Sequence, residues 1–103
     1  MEKSKKEKLE KNGWKVGDID EFLGLNEAEI AIIEMRVALA KTLVERRKKM
    51  GLSQVTVAQN FGTSQSRVAK MEKADAHISL ELLIRILFSL GVSKKELLKA
   101  MAR

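Results

Sequence analysis

The sequence contains no cysteine, no proline and no tyrosine, and it has one histidine and one tryptophan among 103 residues. The absence of cysteine excludes disulfide bonds, thiolate chemistry and cysteine-ligated zinc, and it fits an intracellular setting. The absence of proline, together with six glycines and thirteen leucines, favours helices joined by short turns. Aromatic residues make up only 4% of the chain, so aliphatic side chains must build the core. We therefore predict an all-α fold.

Long apolar segments are also lacking. No apolar run exceeds four residues, whereas a membrane-spanning helix needs roughly 20. The first fifteen residues are charged and lack the apolar core of a signal peptide. The sequence therefore predicts a cytoplasmic protein, with room for one compact domain plus a tail.

The residues that catalysis requires are scarce. There is no glycine-rich phosphate loop and no carboxylate cluster at an apolar site, so no catalytic constellation can be assembled. The single histidine, His77, has only Asp75 near it in sequence, which is too few ligands for a metal site. We predict a protein that is not an enzyme and that needs neither cofactor nor metal.

The net charge of +6 is unevenly distributed along the chain. Residues 1–15 carry a net charge of +3, residues 16–36 carry −5, residues 37–73 carry +6 and residues 74–103 carry +2. We interpret residues 1–15 as a flexible basic tail, and residues 16–36 as an acidic N-terminal extension with the start of the first helix. The basic central block suggests a surface for a polyanion, although a solvated helix face would carry similar charge.

Helix start and stop signals divide the remainder into five helices. The predicted caps and stops are Asn26 and Gly51 for the first helix, Ser53 and Gly62 for the second, Thr63 or Ser64 and about Lys73 for the third, Ser79 and Gly91 for the fourth, and Ser93 and about Ala102 for the fifth. In the first of these, which is one long helix or two nearly collinear ones, apolar residues recur at Ile30, Ile33, Val37, Ala40, Leu43, Val44 and Met50. In the fourth, Leu80, Leu83, Leu87 and Leu90 form one stripe.

The second and third helices have the pattern of a helix-turn-helix. Such a motif needs a small residue where the helices approach, inward apolar residues from both helices, and a glycine at the corner. In the segment 51–72, Ala58 provides the small contact and Gly62 the corner. The predicted inward residues are Val57, Phe61, Val68 and Met71.

The outward face of the third helix is polar. With Val68 and Met71 inward, steps of 100° per residue place Ser66, Lys70 and Lys73 on the opposite side. Arg67 and Ala69 flank this face, and Gln65 stands at the helix start. Hydroxyl, amide and amine groups can hydrogen-bond base edges in the major groove of DNA, and Ala69 can touch a thymine methyl group.

The chain resembles the Xre family of helix-turn-helix regulators, which includes the lambda-like phage repressors and Cro. The resemblance covers about residues 37–90 and rests on the segments RRKKMGLSQ, VAQNFGTSQSRVAKME and ISLELLIRILFSLG. It implies a five-helix lambda-repressor-like domain over residues 37–103, preceded by the flexible basic tail. It also implies a sequence-specific DNA-binding repressor that acts on an operator in double-stranded DNA.

The resemblance assigns roles to individual residues. Gln65, Ser66 and Lys70 correspond to base-reading residues, and we add Ala69 from its place on the helix. The positions that correspond to phosphate contacts are Gln54, Ser64, Arg67 and Lys73. Arg47 and Glu72 correspond to a structural ion pair between the first helix and the third. Ala74 stands where the family often has glycine, so we expect the loop after the third helix to differ.

The segment GDIDEFLGL and the small size further resemble the HigA-type antitoxin branch of this family. That resemblance implies autoregulation of an operon and neutralisation of a RelE/HigB-type toxin, a role that the acidic extension would suit. The alternative is a free-standing phage-type or housekeeping Xre regulator without a toxin.

Three further features bear on partners. The helices from Leu80 onward, with Val92, Leu97, Leu98 and Met101, carry more apolar surface than the motif needs, which predicts a homodimer. The basic tail is a solubilising segment, an arm along DNA or a toxin-binding segment. Trp14 is a lid over the core or an anchor for a partner.

Overall fold

The computed structural model describes residues 26–102, which form five α-helices. They are α1 (Glu27–Lys49), α2 (Gln54–Phe61), α3 (Gln65–Glu72), α4 (Leu80–Ser89) and α5 (Lys94–Met101). Residues 26–102 contain no strand, and the predicted all-α fold with five helices is confirmed. The basic tail, Trp14 and the segment GDIDEFLGL lie outside the described residues.

The described residues belong to two compact units, the first ending at Glu34 and the second beginning at Met35. The boundary falls within α1. The first unit contributes the opening turns of this helix, where the side chain of Asn26 accepts a hydrogen bond from the backbone N–H of Glu29 at 2.8 Å. The second unit contains the remaining four helices and the hydrophobic core.

Serine side chains start each of the four helices of the second unit. The caps are Ser53, Ser64, Ser79 and Ser93, and each Oγ accepts the backbone N–H three residues later. At α5 the side chain of Glu96 also accepts the N–H of Ser93, which completes a capping box. These caps are the predicted ones, and they satisfy backbone donors that short helices cannot satisfy internally.

The core of the second unit is aliphatic, with one methionine. Its fully buried large side chains come from α1 to α4 and are Leu39, Leu43, Val57, Val68, Met71, Leu83, Ile86 and Leu87. Ala58 is buried in this core, and Phe61 packs against it while half-buried. The predicted inward face of the helix pair is confirmed, and packing rather than intrinsic propensity must hold helices of only eight residues.

The buried face of α1 differs from the predicted one. Leu39, Ala40 and Leu43 are buried, whereas Val37 is exposed although the predicted stripe includes it. The first half of α1 has apolar residues on several sides, among them the exposed Ile30 and Ile33. Periodicity alone therefore leaves the orientation of this helix undetermined, and contacts with the rest of the core decide it.

A polar contact joins α1 to the start of α5. The Nη2 of Arg46 donates to the carbonyl of Gly91 at 2.8 Å and to the Oε1 of Glu96 at 3.1 Å. The carboxylate of Glu96 thus caps α5 and pairs with α1 at once. Its pKa is lowered, chiefly by the hydrogen bond from the backbone of Ser93 and also by the charge of Arg46.

The C-terminus of α3 closes in a Schellman motif around an alanine. The N–H of Ala74 donates to the carbonyl of Met71, and the N–H of Asp75 donates to that of Lys70, both at 3.1 Å. Ala74 has a φ of 57°, in the left-handed region that glycine adopts freely. Ala74 therefore adopts a backbone conformation suited to glycine, and the clash of its Cβ in that conformation destabilises the folded state.

Replacing Ala74 with glycine should stabilise the domain by up to about 1 kcal/mol. Relief of the left-handed strain, about 1 to 2 kcal/mol, is partly offset by the greater freedom of glycine in the unfolded chain. Urea unfolding followed by circular dichroism measures the difference. As a matched control, Gly62→Ala should destabilise by about 1 kcal/mol, because Gly62 has a φ of 86° and open space around the missing Cβ. Destabilisation by A74G would contradict this account of the loop.

Candidate nucleic-acid interface

The helices α2 and α3 pack directly against each other across a turn of three residues, 62–64. Gly62 ends α2 in the left-handed conformation, and its N–H bonds the carbonyl of Ala58 at 2.9 Å. Ser64 then starts α3, so the cap is Ser64 and not Thr63. This turn fixes the angle between the two helices and presents the start of α3 to solvent.

The two faces of α3 have opposite character. Val68 and Met71 are completely buried, whereas Gln65, Ser66, Arg67 and Lys70 are exposed. Lys73, the residue that caps the C-terminus, is exposed as well, and Ala69 is half-buried at the edge of the exposed face. The structure therefore brings the predicted base-reading residues together on one side of one helix.

The N-terminal turn of α3 concentrates donors. The Oγ of Ser64 accepts the N–H of Arg67 at 3.2 Å and lies 3.3 Å from the Oγ of Ser66. One of these two hydroxyls donates to the other, and the second keeps its O–H for an outside acceptor. The positive end of the helix dipole and the charges of Arg67 and Lys70 add to the attraction for anions at this point.

A largely buried ion pair joins α1 to the end of α3. Arg47 donates from Nε to Oε2 of Glu72 and from Nη2 to Oε1 at 3.0 Å, which is a two-pronged contact. Its Nη1 also bonds the carbonyl of Leu52 at 3.0 Å. The side chains of Arg47 and Glu72 are only 13% and 7% exposed. The pair therefore holds three elements, α1, the α1–α2 turn and α3, in one arrangement.

The protonation of this pair follows from its surroundings. Burial alone would raise the pKa of Glu72, but hydrogen bonds from Arg47 and Gln54 and the charges of Arg47 and Lys48 outweigh it, so the pKa is lowered. The pKa of Arg47 is raised, mainly by its hydrogen bond to Glu72, against the effect of burial. Both groups are charged at neutral pH.

A relay of hydrogen bonds runs from the ion pair to the surface. Gln54, half-buried at the start of α2, donates its Nε2 to Oε1 of Glu72 at 2.9 Å. Its Oε1 accepts the Nε2 of Gln65 at 2.6 Å. The side chain of Gln65, the first residue of the exposed face of α3, is thus tied to the core through Gln54. Sequence reasoning missed this tether because its partners are 11 and 18 residues apart and no local pattern marks them.

The loop after α3 adds a polar residue that sequence reasoning did not place at this site. His77 lines a shallow depression together with Ser64, Ser66, Arg67 and Lys70. On the inner side of the loop, the Nε of Arg36 from α1 donates to the carbonyl of the buried Ile78 at 3.1 Å. Only the fold brings this loop beside the start of α3.

The arrangement is that of a motif that reads DNA: a short helix, capped and held by its partner, with a polar and basic face free. The helix-turn-helix family model matches residues 43–97, more than half of the 103 residues. The chain belongs to the Xre-like helix-turn-helix family. It is a DNA-binding protein of the helix-turn-helix class of transcriptional regulators, and the five helices of residues 26–102 form the lambda-repressor-like fold.

This helix-turn-helix protein is similar to an uncharacterized HTH-type transcriptional regulator of Haemophilus influenzae. The two are 38% identical over 66 residues, which are 64% of this chain and 67% of the relative. No solved structure matches the chain. Residues 26–102 contain no helix with both the length and the hydropathy of a membrane span.

Breaking the buried ion pair of this helix-turn-helix protein should cost far more stability than breaking an exposed one. The substitution Glu72→Gln leaves Arg47 charged and without its carboxylate, so we expect a loss of about 2 kcal/mol in the free energy of unfolding. The matched control is Glu81→Gln, which breaks the pair of Glu81 with Arg85, whose side chains are 72% and 67% exposed. That control should change stability by less than about 0.5 kcal/mol.

The Arg47–Glu72 ion pair should also make the free energy of unfolding depend on pH. Because the pKa of Glu72 is lower in the folded chain than its ordinary value of 4.5, its contribution is complete above that pH and is lost as the pH falls through the folded pKa. The stability difference between wild type and E72Q should therefore shrink below pH 4.5, as measured by urea unfolding at a series of pH values. A difference that stays constant down to about pH 3 would contradict the role of the charge.

Proposed function

We propose that this protein is a sequence-specific repressor that binds operator DNA with α3 in the major groove. The observation that carries the proposal is the exposed face of α3, which has an amide, a hydroxyl and two cationic groups but no large apolar side chain. A face of this composition suits base edges and phosphates. A docking face for another protein would be expected to include aromatic or large apolar residues.

The proposed division of labour follows the position of each residue on α3. Gln65, Ser66 and Lys70 read base edges, with Ala69 against a thymine methyl group. Arg67, Lys73, Ser64 and Gln54 bind phosphates and so position the helix. The tether from Gln54 to Gln65 supports this assignment, because a side chain already ordered loses less conformational entropy when it meets a base.

We propose that the protein binds as a homodimer. Val92 and Leu97, which the sequence placed among the surplus apolar residues, are buried in the core of the chain itself. Phe88 on α4 and Leu98 on α5 are 46% and 56% exposed and remain available for a second copy. In a dimer of this kind the two recognition helices read half-sites about 34 Å apart.

Selection of duplexes from a random library, followed by footprinting, tests the function directly. We expect a palindromic site whose half-sites are centred about 10 base pairs apart. The logarithm of the binding constant should fall linearly with the logarithm of salt concentration, with a slope of about −0.9 for each phosphate neutralised. Failure to enrich any sequence would contradict sequence-specific binding.

Removing a base reader and removing a phosphate contact should have different consequences. Truncating Lys70 to alanine should cost about 1 to 3 kcal/mol and relax specificity at one base position. Truncating Lys73 to alanine should weaken binding to every sequence alike and lower the salt slope by about one. The measurement is fluorescence anisotropy on the selected duplex and its single-base variants. Equal losses on every duplex for both variants would show that the assignment is wrong.

We further propose that the protein is an antitoxin that represses its own operon and neutralises a RelE/HigB-type toxin. The charge of −5 over residues 16–36 supports this, because a ribonuclease surface that binds RNA is positive. In the described part of this segment, Glu27, Glu29 and Glu34 are exposed on the opening turns of α1. A free-standing phage-type or housekeeping regulator is the competing possibility.

Charge reversal in the acidic segment should separate toxin binding from DNA binding. Replacing Asp20, Glu21 and Glu27 with lysine should weaken binding to the product of the neighbouring reading frame and leave sequence preference for DNA unchanged, because these residues precede the motif. Co-expression with that neighbour, scored by growth and co-purification, comes first. A neighbour that is harmless and does not co-purify would favour the free-standing regulator.

A further inference from the structure

The loop between α3 and α4 contributes a titratable side chain beside the proposed phosphate contacts. His77 is the one histidine of the chain, and its side chain is 95% exposed. It lines the same depression, of about 200 Å³, as Ser64, Ser66, Arg67 and Lys70. Hydroxyl, guanidinium, ammonium and imidazole groups around one hollow make up a donor set suited to a phosphate.

Asp75 orders the histidine. One carboxylate oxygen, Oδ1, accepts the backbone N–H of His77 at 2.7 Å and lies 3.1 Å from its Nδ1. With Nδ1 acting as donor to this carboxylate, protonation adds a second donor at Nε2. The charged ring can then bridge two anions, Asp75 on one side and a phosphate on the other.

Charged groups of both signs lie around His77. The pKa of Asp75 is lowered, first by the backbone N–H of His77 and then by its side chain, so the carboxylate stays ionised near neutral pH. From α3, Arg67 and Lys70 border the depression, and from α1, Arg36 bonds the carbonyl of Ile78. On α4 the first charged residue, Glu81, is already paired with Arg85.

We propose that His77 is an additional phosphate contact whose protonation makes DNA binding tighter at low pH. The proposal rests on the proposed function, since it places α3 on DNA. Binding takes up a proton where His77 is neutral in the free protein. The gain in affinity is therefore present at low pH and is lost as the pH rises through the range of about 5 to 8 in which histidine changes charge.

A phosphate contact, and not a base contact, is the role that suits this residue. His77 stands on the loop after α3 and not on the helix itself. It shares its depression with Ser64 and Arg67, which are assigned to phosphates, and with Ser66 and Lys70, which are assigned to bases. A contact with the DNA backbone carries no sequence information. The protonation of His77 should therefore change affinity and salt dependence without changing which sequence is preferred.

The experiment measures DNA affinity by fluorescence anisotropy at about pH 6 and about pH 8, on the selected duplex and on a scrambled duplex, for the wild type and two variants. Wild type should bind about three- to tenfold more tightly at the lower pH, the size expected for one phosphate contact. His77→Gln, which cannot become charged, should show the weaker affinity at both pH values. His77→Lys, which stays charged, should show the tighter affinity at both.

The salt slope provides a second readout. At the lower pH, the slope of wild type should exceed that of H77Q by about 0.9, and at the higher pH the two slopes should coincide. Thermal unfolding should be nearly unchanged in both variants, because the side chain is almost fully exposed. Loss of affinity through misfolding is thereby excluded.

Two results would overturn the proposal. One is a wild-type affinity that does not change with pH. The other is an H77Q variant that keeps the wild-type pH dependence, which would assign the proton to another group such as the terminal amine. Failure of the proposed function has a different signature, because it would appear as equal affinity for the selected and scrambled duplexes at either pH. The effect of His77 can still be measured on both.

Discussion

The Arg47–Glu72 ion pair is the contact on which the geometry of the reading helix depends. It joins the end of α1 to the end of α3, while Arg47 also holds the carbonyl of Leu52 at the start of the α1–α2 turn. Burying two charges that are so little exposed costs desolvation energy. The bidentate contact between Arg47 and Glu72, with further hydrogen bonds to Leu52 and Gln54, offsets that cost. Because such a contact tolerates few alternatives, it fixes the rotation of α3 about its own axis.

That rotation decides which side chains face outward. Val68 and Met71 fill the core with one side of α3, so the opposite side has to be polar and accessible. Glu72 also helps to order the exposed face of α3. Gln54 donates a hydrogen bond to the buried carboxylate of Glu72 and accepts one from the side chain of Gln65, so it holds Gln65 in place. A helix of eight residues has little stability of its own. Its fixed binding face is therefore a property of the packed domain.

Much of this could be predicted from the sequence because the signals are local. Serine caps, the corner at Gly62 and the inward positions of Val68 and Met71 all depend on spacings of a few residues. The orientation of α1 could not be predicted, because its apolar residues surround the helix and only tertiary contacts select Leu39 and Leu43 as the buried ones. The left-handed conformation of Ala74 could not be predicted either, because alanine rarely adopts it. The hydrogen bonds that end α3, from the N–H groups of Ala74 and Asp75, impose it.

Among the site residues, too, some features follow from local sequence and others depend on tertiary contacts. Their position on one face of α3 follows from helical periodicity, and the pairing of Arg47 with Glu72 was implied by a family resemblance. The tether between Gln54 and Gln65 and the approach of His77 to Ser64 involve residues from different elements. Contacts of that kind depend on the angle between elements, which no local sequence pattern contains.

Two carboxylates lie close to the proposed DNA-binding face, where their charge would repel phosphates, and the structure shows which groups occupy them. A negative group near α3 would oppose phosphates unless a cation or donor occupied it. Glu72 is withdrawn from solvent and covered by Arg47, and Asp75 is occupied by the backbone and ring of His77. Arg67, Lys70 and Lys73 are left to determine the field at the surface. The carboxylates thus order the neighbouring donors, and the positive charge of the central block is directed outward.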